Sequence, residues 1–318
     1  MARHSRRGLL RAVQGQARVD LSIVIVSYNT RQLLVRCLRA LPAASAGLRR
    51  EVVVVDNASA DGSPAAVAGE FPDAILVVNA DNVGFARACN QGVARSSGRT
   101  VLFLNSDAEP RPGSLTALVR HLGDHPRAGA VGPRLAHPDG GSPRSCFRFP
   151  SLTRPLLDFA LVRRLAGPRF SLTLPLGDRR LAEGGAVDWL SGACLLVRRE
   201  ALDAVGRFDE RYFMYFEDTD LCRRLWAAGW EVRFWPGAEV LHVGGASARG
   251  HAAWLAVEVQ RSRLIYFSTH HPGLVSGLVR VWTGIGAAAR GIGSAARGRP
   301  RGLRTEACIL RLALRGVG

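Results

Sequence analysis

Lysine is missing from this chain: all 43 basic side chains are arginine, against 26 Asp and Glu, for a net charge of +17 over 318 residues. Such one-sided arginine use reflects codon bias and assigns no function. Cysteine is sparse, six residues with no CxxC pair, and several lie inside apolar periodic runs. That excludes a zinc or disulfide framework and predicts buried thiols in a reducing compartment. No run of about 18 uncharged apolar residues occurs, so no membrane span is expected. Near the basic N-terminus only Gly8-Leu9-Leu10 is apolar before Arg11, too little for the core of a signal peptide. No GxGxxG follows the first expected strand and no Walker loop occurs, which argues against a dinucleotide Rossmann enzyme and a P-loop NTPase.

The positive charge is unevenly placed. Residues 1–18 carry five Arg and no acid, and residues 271–318 carry eight Arg against Glu306 alone. Basic tails of this kind lean on anionic surfaces, lipid headgroups or nucleic acid. Aromatic residues are not interleaved with the tails, Trp282 apart, so nucleic acid is not the expected partner. The apolar fraction, 47%, is that of a globular protein with a sizeable core.

Short apolar runs alternate with helical patterns through the first half. Leu21–Ser27, Glu51–Asp56, Ala74–Val78, Val101–Leu104 and Gly129–Gly132 read as buried strands. Between them, Arg31–Leu41 reads as a helix closed by Pro42. A second helix runs to Gly69, a third follows the polar loop at Asn82, and a fourth covers 113–122. This alternation predicts a mostly parallel sheet with helices on both faces. The strands end on polar residues, Asn29, Asp56, Asn82 and Asp107, and in such sheets ligands bind beyond the carboxyl ends. Asn105-Ser106-Asp107 is read as a polar, acidic turn. Its carboxylate suits a hard divalent cation against a diphosphate, or equally the capping of a helix opened by Pro112.

From Pro133 to about Gly185 the periodicity fails. Arg144 and Arg148 lie in a basic irregular stretch, 152–166 reads as a helix ending at Arg163 and Arg164, and the region reads as an insertion over the crevice. Ala186–Val197 is strand-like around Gly192, and Arg198–Val205 is a short helix. The aromatic run Tyr212-Phe213-Met214-Tyr215-Phe216 leads into an amphipathic helix whose first turn holds Glu217, Asp218 and Asp220. Macrodipole complementarity accounts for one or two of these acids. Glu231–Trp235 and Ala238–Val243 look like two further strands, with His242 near the end of the second. A single histidine there is ordinarily a hydrogen-bonded core residue. Gly244, Gly245 and Gly250 mark a loop suited to a lid. Beyond Trp254 the chain is helical, with Leu274, Leu278, Val281, Trp282 and Ile285 on one face, compatible with an interfacial helix or with packing on the core or a partner subunit.

These pieces together resemble the inverting family-2 glycosyltransferases of GT-A fold, and more narrowly their bacterial rhamnosyltransferase branch. The resemblance rests on Val26-Ser-Tyr-Asn29, Val55-Asp56-Asn57 through Ser63, Asn82-Val-Gly84-Phe-Ala-Arg-Ala-Cys-Asn90-Gln-Gly92 and Leu104-Asn-Ser-Asp107. It continues through Trp189-Leu-Ser-Gly192, Phe208-Asp-Glu210, Phe216-Glu-Asp-Thr-Asp220 and Leu241-His242, spanning about residues 20–250. It implies a GT-A domain over 19–254, with a nucleotide-binding half (19–133) and an acceptor half (134–254). A flexible basic start (1–18) precedes it, and a basic helical extension (255–318) follows.

The resemblance also implies roles. Ser27, Tyr28, Asn29, Asp56, Asn82, Gly84, Arg87, Asn90, Asn105 and Ser106 would line the donor-nucleotide pocket, Asp56 accepting a pyrimidine N–H. Asp107 and His242 would bind Mg²⁺ or Mn²⁺, although Asn105 replaces the first acid of the family's DxD-type motif and removes one charge. Asp218 would be the base, with Glu217 and Asp220 orienting it or the acceptor. Trp189, Ser191, Gly192 and Arg148 would contact the acceptor. The implied reaction moves a sugar, such as L-rhamnose from dTDP-L-rhamnose, onto a glycan or polyprenyl-linked acceptor in cell-envelope synthesis. That places the enzyme in the cytoplasm or peripherally at the inner face of the plasma membrane, with oligomers allowed. Transfer of another sugar such as galactofuranose, a nucleotidyltransferase-like enzyme and a basic nucleic-acid-binding protein are the competing readings.

Overall fold

The computed structural model describes residues 19–139, 145–151, 183–245 and 252–316. The basic start 1–18, Arg144, the helix expected at 152–166 and the loop beyond Gly245 lie outside them.

The apolar runs of the first half become β1 (Leu21–Ser27), β2 (Arg50–Asp56), β3 (Ile75–Val78) and β4 (Thr100–Asn105), paired in parallel in the order β3-β2-β1-β4. Successive side chains serve opposite faces. Ile23, Ile25, Leu102 and Leu104 pack with α1 (Arg31–Ala44) and α4 (Ser114–Asp124). Val24, Val101 and Phe103 pack with α3 (Phe85–Ala94) and α6 (Glu217–Ala227) on the other side. The strands read as unbroken apolar runs because both faces are covered. The remaining helix of this half is α2 (Ser63–Glu70), and α5 (Arg199–Val205) follows later.

Four local expectations are corrected. Pro42 does not close α1, which runs on to Ala44. A proline in the last turn removes only one bond, and Ser45 takes over by donating from N–H and Oγ to the Leu41 carbonyl. Residues 105–109 are not simply a turn, since Ala108–Pro110 forms β5 and pairs antiparallel with the end of a distant strand. The two strands expected at 231–235 and 238–243 are one, β11 (Glu231–His242). It runs parallel to β6 (Ala128–Ala136) through an irregularity between Trp235 and Glu239, where Pro236 and Gly237 interrupt the ladder. The stretch 186–197 splits into β9 (Trp189–Leu190) and β10 (Cys194–Arg198) around a turn at Ser191–Ala193.

The sheet is mostly parallel but mixed. β10 is inserted antiparallel between β4 and β6, giving the order β3-β2-β1-β4-β10-β6-β11-β5, with β8 (Gly185–Ala186) beside β11. β7 (Cys146–Phe147) pairs with β9 apart from it. Three helices close the described chain: α7 (Ala252–His270), α8 (Gly273–Ala296) and α9 (Pro300–Arg315). α7 sends Leu264, Ile265, Tyr266 and Phe267 into the same core as β4 and α6. Five cysteines are buried and unbridged, and Cys308 is exposed. Desolvation raises the thiols of Cys37, Cys89, Cys146, Cys194 and Cys222, so they behave as small apolar groups.

Candidate active site

Parallel register aligns the carboxyl ends of the central strands, Ser27 beside Asp56 and Val26 beside Asn105. Hydroxyls join two of these ends: Ser27 Oγ lies 3.2 Å from Thr30 Oγ1, which lies 2.8 Å from Ser106 Oγ, all buried. Asp56 is 1% exposed, and its Oδ1 accepts from the Ser59 N–H at 2.8 Å. Its Oδ2 is buried and has no hydrogen-bond partner among the described residues.

Beyond these ends lies a cavity of about 430 Å³. Its lining brings together Tyr28, Asn57 and Asn82, then Asn105, Ser106, Asp107 and His242, and Ser191, Gly192, Glu217 and Asp218. β5 positions Asp107. Because Ala108 pairs with His242, the imidazole Nε2 comes within 3.2 Å of Asp107 Oδ1 and 3.4 Å of Asn105 Nδ2. The Val243 N–H donates back to the Asp107 carbonyl at 3.2 Å.

The aromatic run delivers the Glu217–Asp218 part of the lining. Tyr215 and Phe216 take positive φ, 68° and 66°, which costs residues with side chains of order 1–3 kcal/mol each. Packing holds the turn in place. Tyr212 is fully buried, Phe213 meets Trp254 edge-on at 5.2 Å, and Ser262 Oγ of α7 donates to the Met214 carbonyl at 2.8 Å. Gly84 allows its backbone to reach the run: the Phe85 N–H donates to the Phe213 carbonyl at 2.7 Å, and a Cβ on Gly84 would lie 2.7 Å from that oxygen.

The strained turn starts α6 at the cavity. Asp218 Oδ2 accepts from the Gly192 N–H at 2.9 Å, and Oδ1 accepts from the Thr219 N–H at 2.7 Å. Desolvation nevertheless raises its carboxyl above the ordinary range, despite these bonds. Glu217 is raised well above its usual value by burial first and by Asp218 second, and its Oε2 has no partner among the described residues. A buried acidic pair of this kind is suited to proton transfer.

Several residues expected in the site stand elsewhere. Asp220 is fully buried behind the cavity, paired with Arg224 at 2.7 Å and His270 at 2.6 Å, where it ties α6 to α7. Asn90 donates to the Phe208 carbonyl at 2.9 Å and to Glu210 Oε1 at 3.0 Å, and accepts the Phe208 N–H at 3.1 Å. Arg87 lies 3.8 Å from Glu210 on the surface. Both thus attach α3 to the 208–210 segment instead of lining the cavity. Asn29 accepts from the Ala60 N–H and braces the neighbouring loop. Trp189 stacks on Phe147 and donates to the Arg148 carbonyl, while the Arg148 side chain is exposed; neither lines the cavity. Conversely, Asn57, Met214, Tyr215, Trp254 and Leu255 do line it without having been expected. Asn57 was readable as the neighbour of Asp56 at a strand end, and Tyr215 as part of the aromatic run. Trp254 carries no local signal.

A parallel first half, a mixed second half and an acidic cavity lined from both suit a glycosyltransferase. Residues 22–206 match Glycosyl transferase family 2, and the chain belongs to that family. It is 37% identical over 282 residues, 85% of this chain and 90% of the relative, to the N-acetylglucosaminyl-diphospho-decaprenol L-rhamnosyltransferase of Mycobacterium tuberculosis. It is 31% identical over 238 residues, 73% of this chain and 44% of the relative, to the pre-mycofactocin glycosyltransferase of the same species. Among solved structures, the mannosyltransferase PcManGT of Pyrobaculum calidifontis, in complex with GDP-Man and Mn²⁺, superposes with TM-score 0.54 at 21% identity, covering 98% of this chain and 82% of that one. TarS 1–349 of S. aureus with UDP-GlcNAc superposes at 0.53 and 15% identity, covering 93% and 92%. These two likenesses establish the GT-A glycosyltransferase fold.

Proposed function

We propose that the protein transfers L-rhamnose from a nucleoside-diphosphate donor, dTDP-L-rhamnose, to a hydroxyl of a polyprenyl-diphosphate-linked sugar, with inversion at the anomeric carbon. The likeness along 85% of the chain to a rhamnosyltransferase with such a lipid-linked acceptor supports the sugar and the acceptor class. The observation that carries the reaction is that Asp107 with His242, and Asp218 from a distant part of the chain, line one cavity.

Asp107, Glu217 and Asp218 make the cavity acidic, and no arginine is among its described lining residues. A diphosphate entering that field needs a counter-charge. One carboxylate beside one imidazole is a donor set that would suit Mn²⁺ or Mg²⁺. Among the described residues no cluster of three ligating side chains occurs. Asp107 and His242 would hold the cation, and bound there it supplies charge neutralisation to the departing nucleoside diphosphate.

The chain's own residues do the rest. Tyr28, Asn57 and Asn82 shape the nucleotide side, and the unpartnered Oδ2 of Asp56 is the acceptor for a pyrimidine N–H. Gly192 and Thr219 hold the Asp218 carboxylate in place by their N–H groups. As the acceptor oxygen bonds to the anomeric carbon and the bond to the diphosphate oxygen breaks, Asp218 takes the hydroxyl proton. No second carboxylate is needed as nucleophile, so the displacement is single.

Screening nucleotide-sugars by thermal stabilisation with and without Mn²⁺ tests the donor, since a ligand at 100 times its Kd adds about 2.7 kcal/mol to the native state. dTDP-L-rhamnose should stabilise the wild type most, and Asp107→Ala should lose the metal-dependent part. Asp218→Asn should keep donor binding and lose transfer by roughly 10²–10⁴-fold. Transfer by Asp218→Asn at the wild-type rate, or preference for a UDP-sugar, overturns the corresponding part.

A further inference from the structure

α8 faces the wrong way for a helix of a free-standing globule. Its buried positions are Val279, Thr283, Gly284 and Ala287, mostly small, whereas Leu274, Leu278, Val281, Ile285 and Ile292 are 78, 45, 59, 44 and 72% exposed. Their spacing puts these five on one line running most of the helix length. Large apolar side chains in a continuous exposed stripe mark a surface that something covers.

α9 extends the stripe. Gly284 of α8 lies against Leu310 and Ala313, and Gly291 against Glu306, so the two helices run antiparallel along a shared seam. Leu303 and Leu314 of α9 are 43 and 71% exposed. The exposed line is turned from the seam in the same sense on both helices, by about a quarter of a turn on α8 and about a sixth on α9. For antiparallel neighbours this brings both lines out on one side of the hairpin. Arginine borders it: Arg304, Arg311 and Arg315 are exposed on α9 beside Leu303 and Leu314. The single acid of the region, Glu306, is held by Arg290 at 2.8 Å.

Charge selects the occupant. Two copies of this face brought together would oppose like charges, whereas a bilayer surface with anionic headgroups accepts the apolar line among its acyl chains and the guanidinium groups among its phosphates. We propose that the α8–α9 hairpin lies in the interface of an anionic lipid membrane. No helix of the described residues is long and apolar enough to cross one, so the hairpin lies in the membrane plane. This deepens the reading of a lipid-linked acceptor, and rests on that reading for its purpose though not for its physics.

Flotation of the full chain with phosphatidylcholine vesicles containing about 30% phosphatidylglycerol tests it. Binding should weaken at least about tenfold on phosphatidylcholine alone, and likewise between about 0.1 and about 1 M salt. Val281→Asp with Ile285→Asp should lower binding at least about tenfold, with thermal midpoint and donor-nucleotide binding unchanged because both positions are exposed. Wild-type flotation by that double variant overturns the proposal, as does a dimer in light scattering that the same substitutions dissolve. Failure to bind any nucleotide-sugar while still floating with vesicles would count against the catalytic reading alone. Donor binding without flotation would count against this one alone.

Discussion

A single methyl group at Gly84 should uncouple the two halves of the active site. Gly84 has φ 88° and ψ 169°, a region that costs an L side chain about 1–3 kcal/mol. The added carbon would also lie 2.7 Å from the Phe213 carbonyl oxygen and 2.9 Å from Phe213 Cδ2, both too close to keep. Separation of the two segments would break the Phe85 N–H bond to that carbonyl, a further loss of about 1 kcal/mol. Gly84→Ala should therefore destabilise the protein by about 2–4 kcal/mol, or about 3–6 °C in thermal midpoint. It should also lower transfer disproportionately, because Phe213 lies at the head of the turn that sets Asp218. Gly113→Ala is the control: φ there is 74° with nothing within 4 Å of the added carbon, so only the backbone cost of about 1 kcal/mol applies. The assays are calorimetric unfolding and transfer rate at saturating donor. Equal midpoints for the two variants, with wild-type transfer in Gly84→Ala, would refute the reasoning.

Two further substitutions separate structural from chemical roles. Burial and Asp218 raise Glu217, so the native state binds more protons than the unfolded chain between the ordinary carboxylate value and the raised one, and stability must fall as pH rises through that window. Glu217→Gln removes this contribution, so its stability should gain on that of the wild type as pH rises; parallel stability curves between pH 4 and 8 would contradict it. Asn90→Ala leaves the Phe208 N–H and carbonyl without their partner and should cost about 1–3 kcal/mol of stability. Donor affinity should change by less than about twofold. A tenfold loss of donor affinity at unchanged stability would return Asn90 to the nucleotide pocket.

The parallel half was legible because its strands are short β-branched runs covered on both faces, and its helices carry their own periodicity. β10 was visible as a segment but not as an intruder between β4 and β6, since strand order is settled by tertiary pairing and leaves no local mark. The same limit explains the site. Asp107 and Asp218 could be chosen as carboxylates at the ends of ordered elements, and both line the cavity. Asp220, Arg87 and Asn90 sit in the same motifs yet hold those motifs together, and composition does not distinguish a residue that faces a cavity from one that braces its wall. From its local sequence His242 reads as an ordinary core histidine, and only the family resemblance pairs it with Asp107; the contact itself comes from β5, three residues long, which brings the imidazole beside that carboxylate.

The interruption in β11 has a consequence for how this enzyme can change. Trp235 stands opposite Pro133 while Glu239 stands opposite Arg134, so the strand carries an odd surplus of residues at that point and exchanges its two faces. With the pairing on either side of the kink kept in place, adding one residue near Pro236 would put Leu241 in the place of His242 beside Asp107, and removing one would put Val243 there. Lineages descended from this chain can vary the residues of the kink, but its length parity is locked to the imidazole.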